Sequence, residues 1–210
     1  MPILYGAYRS RATRNFWLAG ELGLELELIP VMQAYRTGAT GILTTSPEFL
    51  AISPAGAIPV LQDGDLVLSE SLAINLYLAR KAGGPLAPQN ASEDALMQQW
   101  ALYGATSIEP AALAIMSAFN EIRGDGPDVA RNADLLQRPL KVLELHLTAH
   151  GFMVGGRFTV ADINMAEILR YTQSHPTLLA GFPAVEGWLK SCQARPAFQE
   201  MWAKRMAEPA

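Results

Sequence analysis

The chain has 210 residues, half of them hydrophobic and 17% charged, with a formal net charge of −4. This balance describes a folded chain with a sizeable core, and it argues against nucleic acid or an anionic membrane as the main partner, since either wants a basic face. Cys192 is the sole cysteine, which excludes an intrachain disulfide and any CxxC redox or zinc site. No charged N-terminal stretch leads into an apolar run and no run of about 18 apolar residues occurs, so the expectation is a cytoplasmic protein without signal peptide or membrane span.

Ile3-Leu4-Tyr5 reads as a short buried strand. Thr13, Phe16, Trp17, Gly20 and Leu24 trace a helical face, after which Leu24, Leu26 and Leu28 alternate with Glu25 and Glu27. That switch from period 3.6 to period 2 predicts a βαβ unit over residues 2–30. Residues 33–45, QAYRTGATGILTT, form a polar, glycine-bearing loop with the look of an insert, placed where a lid or an anchor is supplied. Ser46-Pro47-Glu48 combines an N-cap, a first-turn proline and an acidic first turn, which starts a short helix over Phe49-Leu50.

Val60-Leu61 and Leu66-Val67-Leu68 flank Asp63-Gly64, a strong hairpin signal. Pro59 lacks the N–H that a central strand needs, so it belongs at a strand start or edge, where an extended peptide can be added as a further strand. Glu70 and Ser71 then open a helix whose apolar stripe is Leu72, Ile74, Leu76, Leu78 and Ala79. The order β-α-β-α-β-β-α is a thioredoxin-like arrangement, a mixed sheet with helices on both faces, placed at residues 1–80. Residues 81–91 carry two glycines and two prolines with no apolar period and read as a linker.

Residues 92–210 show no strand pattern and trace four to five helical stretches. The first begins with Ser92 as N-cap and Glu93-Asp94 in its first turn. Thr159 and Asp162 have the spacing of a capping box ahead of Ile163, Ala166, Ile168 and Leu169, a structural signal. The fold class expected is therefore α/β plus all-α. Trp100, Trp188 and Trp202 read as core anchors. His146, His150 and His175 lack metal-ligand spacing with carboxylates or Cys192, so no metal is expected.

The chemistry concentrates between Ser53 and Leu78. A helix N-terminus presents unpaired N–H groups and a partial positive field, which favours a carboxylate by about 0.3–1 kcal/mol even when exposed. Ser71 adds a hydroxyl and Glu70 an opposite charge, so the pair suits the zwitterionic end of an amino acid. The plain alternative is an N-terminal cap.

The segments Ser53-Pro54-Ala55-Gly56-Ala57-Ile58-Pro59-Val60-Leu61 and Glu70-Ser71-Leu72-Ala73-Ile74-Asn75-Leu76-Tyr77-Leu78 resemble the glutathione-binding half of the cytosolic glutathione transferases. That family carries N-P-x-G-x-[IV]-P-x-L near a D-G hairpin and E-S-x-A-I-x-x-Y-L after it. Gly155-Gly156-Arg157-Phe158-Thr159-Val160-Ala161-Asp162 is similar to a second signature of the same family. The resemblance implies a GST fold, a cis Pro59, Ile58 backbone groups pairing the cysteinyl part of glutathione, and Glu70 and Ser71 holding its γ-glutamyl end. It also implies glutathione as co-substrate and a homodimer.

Glutathione's thiol has an ordinary pKa near 8.5, and lowering it to about 6.5 requires roughly 2.7 kcal/mol of preferential thiolate stabilisation, within reach of a hydroxyl donor plus a helix N-terminus. Ser10 follows the loop after the first strand and is the first candidate donor. Many bacterial members of the family place a serine four residues before an arginine, the spacing of Ser10 and Arg14. Tyr5 is the competing donor, as in the vertebrate-type classes, with Tyr8 and Thr13 as further hydroxyls.

Family members often carry a basic or amide residue near the position before Ile58 that holds the glycyl carboxylate. Here Ala55 and Ala57 are apolar, and Arg36 or Gln33 is the available substitute. The second substrate, a small apolar electrophile, is expected between the domains against Tyr103, Ser107, Ile108, Leu113 and Met116. The function expected is glutathione conjugation in a detoxifying role. A glutathione-dependent isomerase, reductase or peroxidase and a non-catalytic binding module are the alternatives. The absence of a cysteine from the first domain argues against thiol-disulfide exchange.

Overall fold

The structure, a computed structural model, describes residues 1–36, 38–122 and 126–209. The chain divides into two compact units, one of Met1–Ala82 with Pro196–Ala210 and one of Gly83–Arg195.

In the first unit, β1 (Ile3–Gly6) is followed by α1 (Thr13–Leu22) and β2 (Glu27–Met32). Next come β3 (Ile42–Leu43), α2 (Pro47–Leu50), the hairpin β4 (Val60–Asp63) and β5 (Leu66–Ser69), and α3 (Ser71–Ala82). The sheet order is β3-β2-β1-β4-β5. β1 lies parallel to β2 and antiparallel to β4, and β4 lies antiparallel to β5. This is the thioredoxin-like sheet of the sequence reading, with three local differences.

β2 starts at Glu27 rather than Leu24 because Gly23, at φ 60°, closes α1 with its N–H on Ala19 and Gly20 carbonyls, and Leu24 N–H also returns to Ala19. This is a left-handed helix cap, and the chain uses the residues after it to reach the sheet. The loop read as an insert contributes an edge strand, with Ile42 and Leu43 pairing Val31 and Met32 in parallel. Asp63 pairs Leu66, so the hairpin turn is Gly64-Asp65, with positive φ at Gly64; glycine at the first central position suits a primed turn.

Tyr5, Val31, Phe49 and Val60 form a buried cluster against which Ile3, Ile29, Ile42, Ile52 and Ile58 pack. Leu4 and Leu61, the alternate residues of β1 and β4, are also fully buried, as strand alternation requires of a sheet covered on both faces. A last helix, α9 (Pro196–Ala207), returns to this unit and packs on α1. Phe198 meets the Trp17 ring edge-on at 4.9 Å. The helical pattern of the sequence runs through to residue 210, but the apolar face that α9 covers belongs to α1.

The second unit contains α4 (Ala91–Tyr103), a π-helical turn over Gly104–Ile108, α5 (Glu109–Ile122), α6 (Pro127–His150), α7 (Val160–Leu169), two short 3₁₀ turns and α8 (Pro183–Gln193). Asn90, not Ser92, caps α4, its side chain accepting the Glu93 N–H at 2.9 Å. The π turn carries the helix past Pro110, whose missing N–H would interrupt an α-helical ladder. Every residue of α7 is buried, and its start is the expected capping box. Thr159 N–H donates to Asp162 at 2.9 Å, and Asp162 also accepts from Met153 N–H and from the Trp188 indole. Among the described residues no helix is long and apolar enough to cross a membrane, and no group of three or more His, Cys, Asp or Glu is placed to hold a metal ion.

Candidate functional site

The pairing registers place four chain segments at one edge of the first unit's sheet. Tyr5 lies opposite Val60, and Val60 opposite Ser69. The loop after β1, the residues before β4 and the residues after β5 therefore share that edge, and the parallel β2 sends the loop after Met32 the same way. Ser10, Ile58 and Glu70-Ser71 thus follow one another in the order β1, β4, β5. Paired strands lie about 4.8 Å apart, and a Cβ built on Gly6 would meet Ala12 and Pro59 within 4 Å, so the turn leading into α1 lies beside the start of β4.

The Ile58-Pro59 peptide is cis. Neither the N–H nor the C=O of Ile58 takes a backbone partner among the described residues, so this edge segment can pair with an added peptide.

Glu70 has φ 67°, the sole non-glycine residue with positive φ among the described residues, and it is exposed. Left-handed backbone at a residue with a Cβ costs roughly 1–2 kcal/mol, a cost that concentrates at ligand-binding positions. Ser71 is the first residue of α3 and is almost fully buried. Its hydroxyl accepts from Arg14 Nη1 at 3.0 Å and donates to no acceptor among the described residues. A serine with one lone pair so occupied keeps its proton for an acceptor placed at the helix N-terminus.

Arg14 belongs to a buried polar network that the sequence reading did not single out. Asn15 Nδ2 donates to the Ser71 carbonyl at 3.0 Å and to Asn75 Oδ1 at 2.7 Å, and Asn75 Nδ2 donates to the Arg14 carbonyl at 3.1 Å. Arg14, Asn15 and Asn75 are at most 1% exposed. Each sits three and four residues before apolar core residues of its own helix: Trp17 and Leu18 after Arg14, Leu18 and Ala19 after Asn15, Leu78 and Ala79 after Asn75. Polar residues inside an apolar stripe are the signal that identifies them. The Arg14 guanidinium adds a full positive charge to the partial charge of the α3 N-terminus.

The candidate thiol donors separate clearly. Tyr5 is 8% exposed, packed in the Phe49 cluster, and its hydroxyl donates to Gln62 at 3.0 Å. Thr13 is fully buried and donates to the Ser10 carbonyl at 3.2 Å. The Tyr8 ring stacks on Phe16 at 4.1 Å, and burial pushes its phenol above the ordinary value. Ser10 is half-buried in the turn leading into α1, where its hydroxyl donates to the Ala7 carbonyl at 2.6 Å and accepts the Ala12 N–H at 3.0 Å. It is the one candidate that combines a partly open position with a helix N-terminus.

Arg36 and Gln33, the substitutes considered for the glycyl anchor, are both turned to the loop before Ser10. Arg36 Nη2 and Gln33 Nε2 donate to the Arg9 carbonyl at 2.8 and 3.3 Å.

In the second unit, Ile108 has no exposed surface. It is a core side chain of the π turn and does not line a wall. Ser107 is exposed, and Tyr103 is half-buried with its ring edge-on to Trp100 at 5.6 Å. A cavity of about 350 Å³ in this unit is lined by other residues, among them Leu96, Trp100, His146 and Phe152.

Two family models match the chain: glutathione S-transferase, N-terminal domain, over residues 4–86 and glutathione S-transferase, C-terminal domain, over residues 108–196. Glutathione S-transferase 3 of Zea mays is 36% identical over 94% of this chain and 91% of its own. The structure of a glutathione S-transferase-I bound with lactoylglutathione superposes with a TM-score of 0.81 at 31% identity, covering 97% of this chain and 99% of that one. Glutathione transferase F7 of Populus trichocarpa gives a TM-score of 0.82 at 27% identity over 98% and 99% of the two chains. The Zea mays and Populus trichocarpa relatives are plant proteins, and they do not single out the bacterial type that the Ser10 to Arg14 spacing suggested. The matched domains, the near full-length identity and the fold together establish that the chain belongs to the glutathione S-transferase family.

Proposed function

We propose that Ser10 activates the glutathione thiol in this glutathione transferase, which conjugates the resulting thiolate to a small apolar electrophile. The observation that carries this reading is the shared sheet edge, where the half-buried Ser10, the unpaired backbone of Ile58 and the Glu70-Ser71 pair stand in the order a single extended tripeptide requires. The γ-glutamyl carboxylate lies at the α3 N-terminus, held by Ser71 with the charge of Arg14 behind it. Glu70 takes the ammonium group, and Ile58 pairs the cysteinyl backbone across the cis Pro59. The sulfur then faces Ser10, whose hydroxyl turns its hydrogen bond from the Ala7 carbonyl to the thiolate as the thiol proton leaves to solvent. Residues 1–80 form the glutathione-binding domain in this reading, residues 81–91 the linker, and the helical unit supplies the electrophile site with Tyr103 and Ser107.

Tyr5 is left out of the chemistry because its hydroxyl is committed to Gln62 inside the sheet. A homodimer is part of the same reading. It is supported by Val67, an apolar side chain left 47% exposed on the edge strand β5. Light scattering on the purified protein checks it, and a monomeric mass removes it. A cytoplasmic location accords with the single cysteine.

The deciding experiment is a calorimetric titration of reduced glutathione, followed by conjugation assays with a chlorodinitrobenzene, for the wild type and Ser10→Ala. Retained binding with turnover at least tenfold lower is expected of the variant. Wild-type turnover in Ser10→Ala removes Ser10 from the mechanism, and no binding up to millimolar glutathione removes the site.

A further inference from the structure

Tyr8 and Arg9, the two residues ahead of Ser10, carry four backbone polar atoms, and each is held by a side chain from a distant part of the first unit. The Tyr8 and Arg9 N–H groups donate to the two carboxylate oxygens of Glu208 at 2.8 and 2.6 Å. The Tyr8 carbonyl accepts from Arg205 Nη1 at 2.8 Å, and the Arg9 carbonyl accepts from Arg36 and Gln33. Arg9 Nε returns a hydrogen bond to the Glu208 carbonyl at 2.7 Å, and Arg36 Nη1 approaches the Glu208 carboxylate at 3.4 Å. The Arg36 and Glu208 side chains are only 10% and 18% exposed.

We infer that Glu208 is a positioning residue for the thiol-activating loop, a strap from the segment after α9 that fixes the backbone on which Ser10 is carried. A carboxylate that spans two consecutive N–H groups defines the orientation of both peptide planes, because each oxygen takes one donor. The next peptide leads directly into Ser10. Arg36 plays two parts: it binds the carbonyl that follows these N–H groups, and it neutralises Glu208, so the strap adds little negative potential opposing a nearby thiolate. A hydroxyl displaced from its position makes a poorer hydrogen bond to the thiolate, and misplacements of about 1 Å can cost as much as 10²-fold in rate.

This inference rests on Ser10 as the thiol donor, and the test separates the two. The pKa of bound glutathione is read from thiolate absorbance in wild type, Ser10→Ala, Glu208→Ala and Glu208→Gln, with glutathione KM and kcat measured for each. Glu208→Ala is expected to raise the bound thiol pKa by about one unit and lower kcat about tenfold while KM changes little. Glu208→Gln, which keeps one acceptor oxygen, recovers part of both. A normal thiol pKa in Glu208→Ala alongside a raised one in Ser10→Ala overturns the strap alone. An unshifted pKa in Ser10→Ala overturns the donor assignment and the strap with it. Tighter glutathione binding with unchanged kcat in Glu208→Ala also overturns the inference, since Glu208 is then a competitor for the site rather than a support.

Discussion

Arg14 Nη1 donates to the Ser71 hydroxyl at 3.0 Å, and both side chains lie inside the first unit, 1% and 3% exposed. A guanidinium so placed links α1 to the first residue of α3 and sets the lone pair that Ser71 uses, leaving its proton for a ligand. On the role proposed for Ser71, stability and binding are coupled at one atom.

Ser71→Ala removes the acceptor of a buried charged donor, a loss of about 1.5–3 kcal/mol. Melting curves should show a Tm lower by about 5 °C for a chain of this size. Calorimetry should show glutathione affinity reduced at least tenfold, since the carboxylate loses its hydroxyl donor. An unchanged affinity in a destabilised variant would reassign Ser71 to folding alone.

Tyr5 and Ser10 make opposite predictions. Tyr5→Phe deletes a partly buried hydrogen bond to Gln62 and keeps the ring against Phe49, so it should cost about 0.5–1.5 kcal/mol in denaturant unfolding and leave turnover within a factor of two. A tenfold fall in kcat for Tyr5→Phe would return the tyrosine to the mechanism.

The legible parts of this molecule are those written in short-range code. The hairpin, the Pro47 helix start and the Thr159 capping box each depend on residues within about four positions, and each formed close to where the sequence placed it. Legibility failed where a tertiary partner decided the outcome. Ile42-Leu43 became a strand because β2 offered an open edge, and two apolar residues among glycines carry too little local pattern to announce it. Asn90 rather than Ser92 caps α4, and because asparagine and serine are comparably good N-cap residues sequence alone does not rank them. Ile108 is apolar, and composition alone does not separate a wall residue from a core one; in the π turn it is fully buried. The Glu208 strap joins positions about 200 apart in the chain and no local pattern signals it. Arg14, Asn15 and Asn75 were readable in principle, as polar residues in apolar stripes.

Glu70 is held at φ 67°, so glycine should suit the backbone better than glutamate does. The relief of about 1–2 kcal/mol is partly offset by the greater freedom that glycine brings to the unfolded chain, about 0.5–1 kcal/mol. Glu70→Gly should be more stable than wild type by roughly 0.5 kcal/mol, whereas Glu70→Ala should show no gain. Both should bind glutathione about tenfold more weakly if the carboxylate holds the ammonium group. Wild-type affinity in the glycine variant would mean that the left-handed turn, and not the charge, is what the site requires.

The second unit carries its own pH dependence. Arg157 donates to both Glu93 oxygens at 3.0 and 2.6 Å, and also to the Pro85 and Ala87 carbonyls, which ties the start of this unit to the turn before α7. The guanidinium holds the Glu93 carboxyl down at about 2, against an ordinary value of 4.5. A carboxyl whose folded pKa lies below its unfolded one contributes stability that is fully present above the unfolded value and is lost as pH falls through the folded value. The contribution from this pair should therefore be constant above about pH 5 and disappear between about pH 4.5 and 2. The fork is partly open to solvent, which limits the effect to about 1 kcal/mol. Urea unfolding of wild type and Glu93→Gln should differ by that amount at pH 7 and converge near pH 2, and a difference that persists unchanged at pH 2 would show that the amide's packing, rather than the ion pair, is responsible.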